Sequence, residues 1–384
     1  MDFTLTKEQE MFRDMAKEFA ERELAPAARE RDRTEQFPRE IIQKMADQGF
    51  FAIKVPPEMG GLGLDWMTMG LIVEQLSMVD LTAALTFYMQ TSLVIMPLLV
   101  AGTDEQKQKF IPDLMTGRKL GALAAVEPNA GSDATAIETT AVLDGDDWVL
   151  NGNKTWITNA TISDYSVVVA QTDKKLKTKG IATFIVEKGT PGYTQTKIGH
   201  KLGGRSADTG QLFFRDCRIP RSNQLGPVGW GMLIALQCIE LTRLGIACGM
   251  VGGTQACIDA SIKYAQERKQ FGRPIGSNQL IQAQIADMIV NNEASRWLAY
   301  HVATMQDKGL RCTRETAIAK CHNTDVAAKA ARMALEIHGA YGLTDDLPLE
   351  RFYRDVTGPL VFGGTANIQK LSIGRLALGI DAFK

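Results

Sequence analysis

The sequence predicts a mostly α-helical protein with a β domain set between two helical bundles. Three observations carry this. Residues 1–117 show helical periodicity, residues 118–225 alternate short β-branched runs with turn residues, and residues 226–384 return to helical, Ala-rich patterning. The order helix, strand, helix argues for a β-barrel or sandwich in the middle and a four-helix bundle at the end.

The first region opens with a capping box, Thr6 with Gln9, and Met11, Phe12, Met15 and Phe19 then recur on one helix face. Pro56, Pro57, Gly60, Gly61 and Gly63 mark a loop, and Thr103 with Gln106 starts another helix. In the second region, Asp147–Leu150 ends at an Asn151-Gly152 turn. Tyr165–Gln171, Ile181–Glu187 and Gln211–Phe214 follow as strands, with Gly192-Tyr193 and Gly203-Gly204-Arg205 between them, so a small antiparallel domain is expected. In the third region, long Ala-rich helices are expected at 250–307 and 314–338.

Composition sets bounds. At 384 residues the chain can form two or three domains around a large core. A net charge of −1 gives no pull toward nucleic acid or an anionic membrane surface. The four histidines are scattered and the six cysteines form no CxxC pair, so no metal site and a cytoplasmic chain with reduced thiols are expected. The N-terminus is charged and amphipathic, unlike a secretory leader. The most apolar run, residues 92–102, contains Pro97 and is too short to span a bilayer, so no membrane insertion is expected.

Five spaced motifs stand out: Glu127-Pro128-Asn129-Ala130-Gly131-Ser132-Asp133, residues 152–159 (Gly-Asn-Lys-Thr-Trp-Ile-Thr-Asn), residues 201–209 (Lys-Leu-Gly-Gly-Arg-Ser-Ala-Asp-Thr), residues 267–273 (Glu-Arg-Lys-Gln-Phe-Gly-Arg) with Gln279 beyond, and residues 336–342 (Glu-Ile-His-Gly-Ala-Tyr-Gly). Together with Val-Phe-Gly-Gly-Thr-Ala-Asn-Ile-Gln at 361–369, they resemble the acyl-CoA dehydrogenase family across the whole chain. The resemblance implies a helical bundle, a β-barrel and a second helical bundle. It also implies FAD, an acyl-CoA substrate, a homotetramer and an electron-transferring flavoprotein as partner.

The resemblance places residues in roles. Trp156 offers a flat wall to the flavin and Thr158 a hydroxyl and N–H near its N5; a core tryptophan is the plainer alternative. Arg268 matches an arginine that reaches the FAD pyrophosphate of a neighbouring subunit. Phe271, Gln279, Gly339, Thr365 and Asn367 match other flavin-contacting positions, although Gly339 also suits a helix end. Ser132, Glu240 and Arg243 match CoA-facing positions; a surface ion pair is the alternative for Glu240. Tyr88 and Thr91, in Thr86–Leu93, match the wall of the acyl pocket, with Phe362 and Gly364 beside it.

Three departures qualify the resemblance. Val126 replaces a Thr or Ser that bonds the flavin, a loss of about 1 kcal/mol. Glu336 replaces a Gln near the FAD phosphates. Gly363 stands where the family carries the glutamate that removes the α-proton, and Thr242 occupies the alternative position for that base. Glu240 lies about 200° round the helix from Thr242. The expected function is therefore FAD-dependent oxidation of a cyclic or already unsaturated acyl-CoA, with the catalytic residue unknown. Three alternatives stay open. One is a desulfinase-like enzyme, a class that also shows Gly-Gly-Thr here. The others are a silent acyl-CoA-binding homologue and an inactive or engineered variant of an ordinary dehydrogenase.

Overall fold

A computed structural model describes residues 4–382; the outermost residues of the first and last expected domains, 1–3 and 383–384, lie outside the described residues. The N-terminal region contains α1 (Lys7–Phe19), α2 (Ala28–Thr34), α3 (Arg39–Asp47), α4 (Trp66–Ser77), α5 (Leu81–Met89), α6 (Met96–Ala101) and α7 (Asp104–Met115). Both expected capping boxes form: Thr6 with Gln9 starts α1, and Thr103 with Gln106 starts α7. On α1, Phe12, Ala16 and Phe19 are buried, but Met11 is 56% exposed, so the apolar stripe is narrower than its periodicity predicts.

A π-helical segment, Gln90–Ile95, joins α5 to α6. The resulting helix, Leu81–Ala101, and the long C-terminal helix Gly231–Glu267 are each long and apolar enough to cross a membrane. The sequence pattern missed this because it counted only the run at 92–102 and not the helix that leads into it. Most of both helices is buried inside the protein (72% and 67% of their most apolar windows), as expected of core helices.

The central strands are β1 (Gly121–Ala124), β2 (Thr140–Asp144), β3 (Asp147–Thr158), β4 (Tyr165–Gln171), β5 (Ile181–Glu187), β6 (Tyr193–Lys197), β7 (Thr209–Pro220) and β8 (Gln224–Leu225). They form one eight-stranded sheet in the order β6-β7-β3-β2-β4-β5-β8, with β1 beside β4. The sheet is not purely antiparallel, because β1 and β2 both run parallel to β4. Asn151-Gly152 is not a turn either. The strand continues through it with a register shift against β7, and the Asn151 side chain bonds Asp216 on that neighbour. A bulge and a long partner strand override the local turn signal. Trp148, Leu150, Phe184 and Phe214 fill the core of this domain.

The C-terminal region holds α8 (Gly231–Glu267), α9 (Gln279–Asp307), α10 (Thr313–His338), α11 (Leu349–Asp355) and α12 (Ala366–Leu378). The expected stretch 250–307 is broken by a hairpin, β9 (Lys269–Gln270) and β10 (Arg273–Pro274), with Phe271 and Gly272 at its tip. Helix α8 packs closely on α4 and α5. A Cβ at Gly252 would stand 2.1 Å from Glu74 O, and one at Gly245 would stand 2.7 Å from the Tyr88 ring. Glu74 is buried and bonds Arg296 (3.0 Å) and Tyr300 (2.8 Å), fastening α4 to α9.

One buried ion pair fixes the front of the β domain. Lys154 Nζ on β3 lies 2.6 Å from Glu127 Oε1, and neither side chain is more than 1% exposed. The Glu127 carboxylate also accepts N–H bonds from Glu138 (2.6 Å) and Thr139 (3.0 Å). It thereby closes the loop that carries Ser132. Leaving one charge of such a pair unpaired is expensive, about 3–5 kcal/mol. Lys154→Met should lower stability by about that amount, read from the thermal midpoint and denaturant unfolding. Adding Glu127→Gln should recover part of the loss. Equal stability of wild type and Lys154→Met would remove the pair from this role.

Candidate functional site

The segment after α11 turns back through two glycines in the left-handed region, Gly363 (φ 67°) and Gly364 (φ 86°). A side chain at either position would be strained. Two cations hold the turn. Arg243 Nε on α8 donates to Gly363 O at 2.8 Å, and Lys320 Nζ on α10 donates to Gly364 O at 2.8 Å. Gln369 Nε2 reaches the same Gly364 carbonyl at 3.3 Å. Thr365 then caps α12 by accepting from Ile368 N.

Lys320 is shielded from water fully and Arg243 partly. Lys320 is fully buried, and desolvation, followed by repulsion from Arg243, pushes its ammonium down to about 8. Burial also pushes the Arg243 guanidinium down, partly offset by Glu240. Thr242, on the same stretch of α8, is buried and donates to Cys238 O, with Ser92 Oγ 2.8 Å away. Neither Gly363 nor Thr242 supplies a base.

Behind this turn lies a cavity of about 50 Å³. Phe362, Ile246, Tyr88 and Leu85 line its apolar side, and Ser77, Thr82, Gly204 and Asp355 its polar side. The space beside Gly363 is already taken: Ile246 Cδ1 lies 2.6 Å from where a Cβ would stand.

A second cluster lies on the β domain. Trp156 is 61% exposed and has φ 58°. A non-glycine residue in that region marks strain, and a β-bulge produces it here, through the register shift between Lys154 and Ile157. Thr158 ends the same strand opposite Thr209. Thr155 N bonds Val126 O at 3.0 Å, bringing Val126 alongside. Ser132 is exposed in the neighbouring loop. A solvent-facing indole held in a strained backbone, with a hydroxyl two residues on, fits one face of an isoalloxazine ring.

A third cluster is exposed at the far end of the C-terminal helices. The Arg268 guanidinium sits 5.7 Å from the Tyr341 ring centroid. Phe271 is fully exposed with φ 52°, and Gln279 begins α9 in solvent. Glu336 pairs with Arg332 (2.9 Å) and accepts from Gln284, so its unexpected charge is balanced locally. Gly339 ends α10 with open space where a Cβ would stand. Asn367 is exposed in the first turn of α12. Among the described residues, no hydrogen bond joins Arg268, Phe271 or Gln279 to the first two clusters.

The three parts of the chain match, in order, the N-terminal domain of acyl-CoA dehydrogenases over residues 6–118, the middle domain over 122–217 and the C-terminal domain over 229–378. The chain belongs to the acyl-CoA dehydrogenase family. It is 41% identical to the short-chain specific acyl-CoA dehydrogenase of Clostridium acetobutylicum, over 97% of this chain and 98% of that one. The butyryl-CoA dehydrogenase structure from Megasphaera elsdenii superposes with a TM-score of 0.96 at 36% identity, covering 98% of this chain and 100% of that one. A chain in a solved structure of the electron transferring flavoprotein of Acidaminococcus fermentans gives a TM-score of 0.97 at 42% identity, covering 98% and 100%. Membership makes this protein an FAD-dependent oxidoreductase acting on an acyl-CoA.

Within the family frame, the structure gathers Tyr88, Arg243, Phe362, Gly363, Gly364 and Thr365 at one site. Two expected residues point elsewhere. Thr91 is buried and its hydroxyl donates to Phe87 O on its own helix. Glu240 accepts from Thr313 and Cys312 at the start of α10. Sequence reasoning also missed Lys320, Gln369 and Asp355. Lys320 could have been found: it interrupts the small-residue face Thr316, Ala319, Asn323, Ala327, where a solvated lysine has no place.

Gly363→Glu tests the site directly. The positive φ costs about 1–2 kcal/mol, and Ile246 must give way, so Gly363→Glu with Ile246→Val should fold better than Gly363→Glu alone. Either variant should raise α,β-dehydrogenation of butyryl-CoA by about 10-fold or more, since a placed base contributes about 10²–10⁴-fold. Wild type oxidising butyryl-CoA as fast as the variants would show that another base already serves Cα.

Proposed function

We propose that the protein dehydrogenates a compact acyl-CoA that is cyclic or already unsaturated, at carbons beyond the usual Cα–Cβ pair. The observation that carries this is the Gly363–Gly364 turn, where the family's base is replaced by backbone whose carbonyls are engaged by Arg243 and Lys320. The cavity behind it, about 50 Å³, does not suit a long fatty chain. FAD, when bound, accepts hydride. Trp156 and Thr158 would hold its ring, Thr365 and Asn367 its edge, and Arg268, Phe271, Gln279, Glu336 and Gly339 its phosphate arm. Ser132 and Arg243 would face the CoA thioester.

One observation supports a second reading, release of sulfite from a sulfinated acyl-CoA without net oxidation. Buried Lys320 and half-buried Arg243 are neighbouring cations, and no carboxylate is bonded to either among the described residues. An anionic acyl substituent would balance them. Anaerobic mixing with a panel of short saturated, unsaturated, cyclic and sulfinated acyl-CoAs separates the readings. Bleaching of the visible flavin band by the unsaturated or cyclic members is expected. Sulfite release without bleaching would favour the second reading, and neither response would leave an acyl-CoA-binding homologue.

We also infer a homotetramer in the cytoplasm that passes electrons to an electron-transferring flavoprotein. The fully exposed Phe271 and the 80% exposed Leu280 lie beside Arg268, as expected of residues that a neighbouring subunit covers. Arg268→Ala should weaken FAD retention on dialysis by about 1.5–3 kcal/mol while leaving acyl-CoA binding nearly unchanged. Full FAD content in that variant would take Arg268 out of the cofactor site.

A further inference from the structure

One segment reaches from the thioester side of the site to the flavin side. Residues 201–208 lead into β7 and form a strap of turns that is held at both ends. At one end, Gly204 N donates to Asp355 Oδ1 at 2.7 Å, and Arg354 Nη1 donates to Leu202 O at 3.2 Å. Gly203 packs so closely that a Cβ would stand 2.2 Å from Arg354 O. Asp355 is the last residue of α11 and shares a cavity wall with Phe362, next to the Gly363 turn. At the other end, the Asp208 carboxylate accepts from Thr161 N (2.7 Å) and Thr161 Oγ1 (2.5 Å), and Asp208 O accepts from Asn159 N (2.9 Å). Thr209 then pairs with Thr158. Between the ends, Lys201 Nζ donates to Ala207 O at 2.6 Å and Arg205 Nε to Lys201 O at 3.1 Å, while Ser206, Ala207 and Asp208 are buried.

We propose that Asp355 is a positioning residue for the flavin wall. Through Gly204 and Asp208 it sets where Thr158 and Trp156 stand relative to the Gly363 turn, and the charge it carries sets how firmly the strap holds them. This rests on the reading of Trp156 and Thr158 as one face of the flavin site. Coupling of this kind needs an element that can adopt two arrangements. The strap is continuous from one cluster to the other, and gain or loss of one buried charge at its end supplies the two arrangements.

Asp355 is 8% exposed, and its Oδ2 has no hydrogen-bond partner among the described residues. Burial pushes the carboxyl from its ordinary 3.8 up to about 7. The Gly204 N–H and Arg351 on α11 oppose the shift, while Asp80 before α5 and Asp32 on α2 add to it. Asp80 is paired with Arg31 and Asp32 with Arg354, at 2.6 Å each, and Lys201 of the strap also faces the carboxyl. With the strap closed the carboxyl stays neutral up to about pH 7, whereas released into water it would ionise near 3.8. The closed value is the raised one. The grip is therefore complete below about pH 4, weakens as pH rises, and is weakest above about 7. Asn keeps an acceptor for Gly204 N and carries no charge, so Asp355→Asn should hold the strap closed at every pH.

The test reads two signals against pH. One is the visible flavin band of the FAD-loaded protein. The other is amide hydrogen exchange over residues 157–163, followed by mass spectrometry and normalised to the unstructured rate, which needs no flavin. In wild type, protection should fall about tenfold or more between pH 5 and 7 and level off above that, and the flavin band should shift over the same range. Asp355→Asn should abolish both responses. Asp208→Asn, which removes one of the two acceptors for Thr161, should abolish the flavin response while exchange at residues 202–205 still responds. His200, exposed one residue before the strap, is of a type that titrates in this range, and His200→Gln should leave both responses in place. A response that survives in Asp355→Asn, or is lost in His200→Gln, would overturn the assignment, as would wild-type protection that is flat from pH 5 to 9. A flavin response that survives in Asp208→Asn would overturn the route through the strap. If exchange responds and the wild-type flavin band does not, the strap stands and the placement of the flavin against Trp156 falls. Should Asp355→Asn fail to retain FAD, exchange in the flavin-free proteins decides alone.

Discussion

The site depends on two cationic side chains, one buried and one half-buried, that donate to two successive backbone carbonyls. Arg243 comes from α8 and Lys320 from α10, so the turn at Gly363 and Gly364 is tied to both long helices of the C-terminal bundle. Each charge gives up hydration and recovers part of it in one charge-assisted bond. The arrangement works only if the backbone turns its carbonyls toward the helices, which both residues do at positive φ. From there the rest is fixed. Phe362 is placed against the cavity, Thr365 is placed to cap α12, and Gln369 is drawn onto the same carbonyl. Deprotonation of Lys320 above about pH 8 would leave a neutral amine that can still donate, so the turn does not depend on the charge itself.

The β domain contributes by holding an aromatic residue where a core would normally absorb it. Trp148, on the same strand, is buried, whereas Trp156 is mostly exposed. The difference is the bulge after Lys154, which turns the indole outward, while Lys154 itself is anchored inward on Glu127. One ion pair therefore locates both the loop bearing Ser132 and the strand bearing Trp156. A flat ligand against the exposed, strained indole would account for its conformation.

Much of this was legible in sequence, and the failures have physical causes. Strands β4 and β5 follow directly from their β-branched runs, because both are buried along nearly their whole length and need no alternation. Asn151-Gly152 misled because a turn dipeptide can also sit in a bulge when a long neighbour, here β7, continues past it. The helical stretch 250–307 misled because the alanine-rich pattern continues on both sides of the hairpin at Lys269–Pro274. Motif positions located Arg243 and Gly363 but not what joins them, since a side chain bonding a carbonyl 120 residues away leaves no local trace.

The absent glutamate has not left a hole. Ile246 Cδ1 occupies the approach to position 363, and the neighbouring cations bond backbone rather than waiting for an acid. An uncompensated deletion in a packed interior would leave unfilled space or unpaired charge, each worth kilocalories. At the turn itself Ile246 fills the space, while Arg243 and Lys320 bond backbone carbonyls and no carboxylate among the described residues, and Gln369 Oε1 lacks a partner. The space at position 363 is thus packed for glycine.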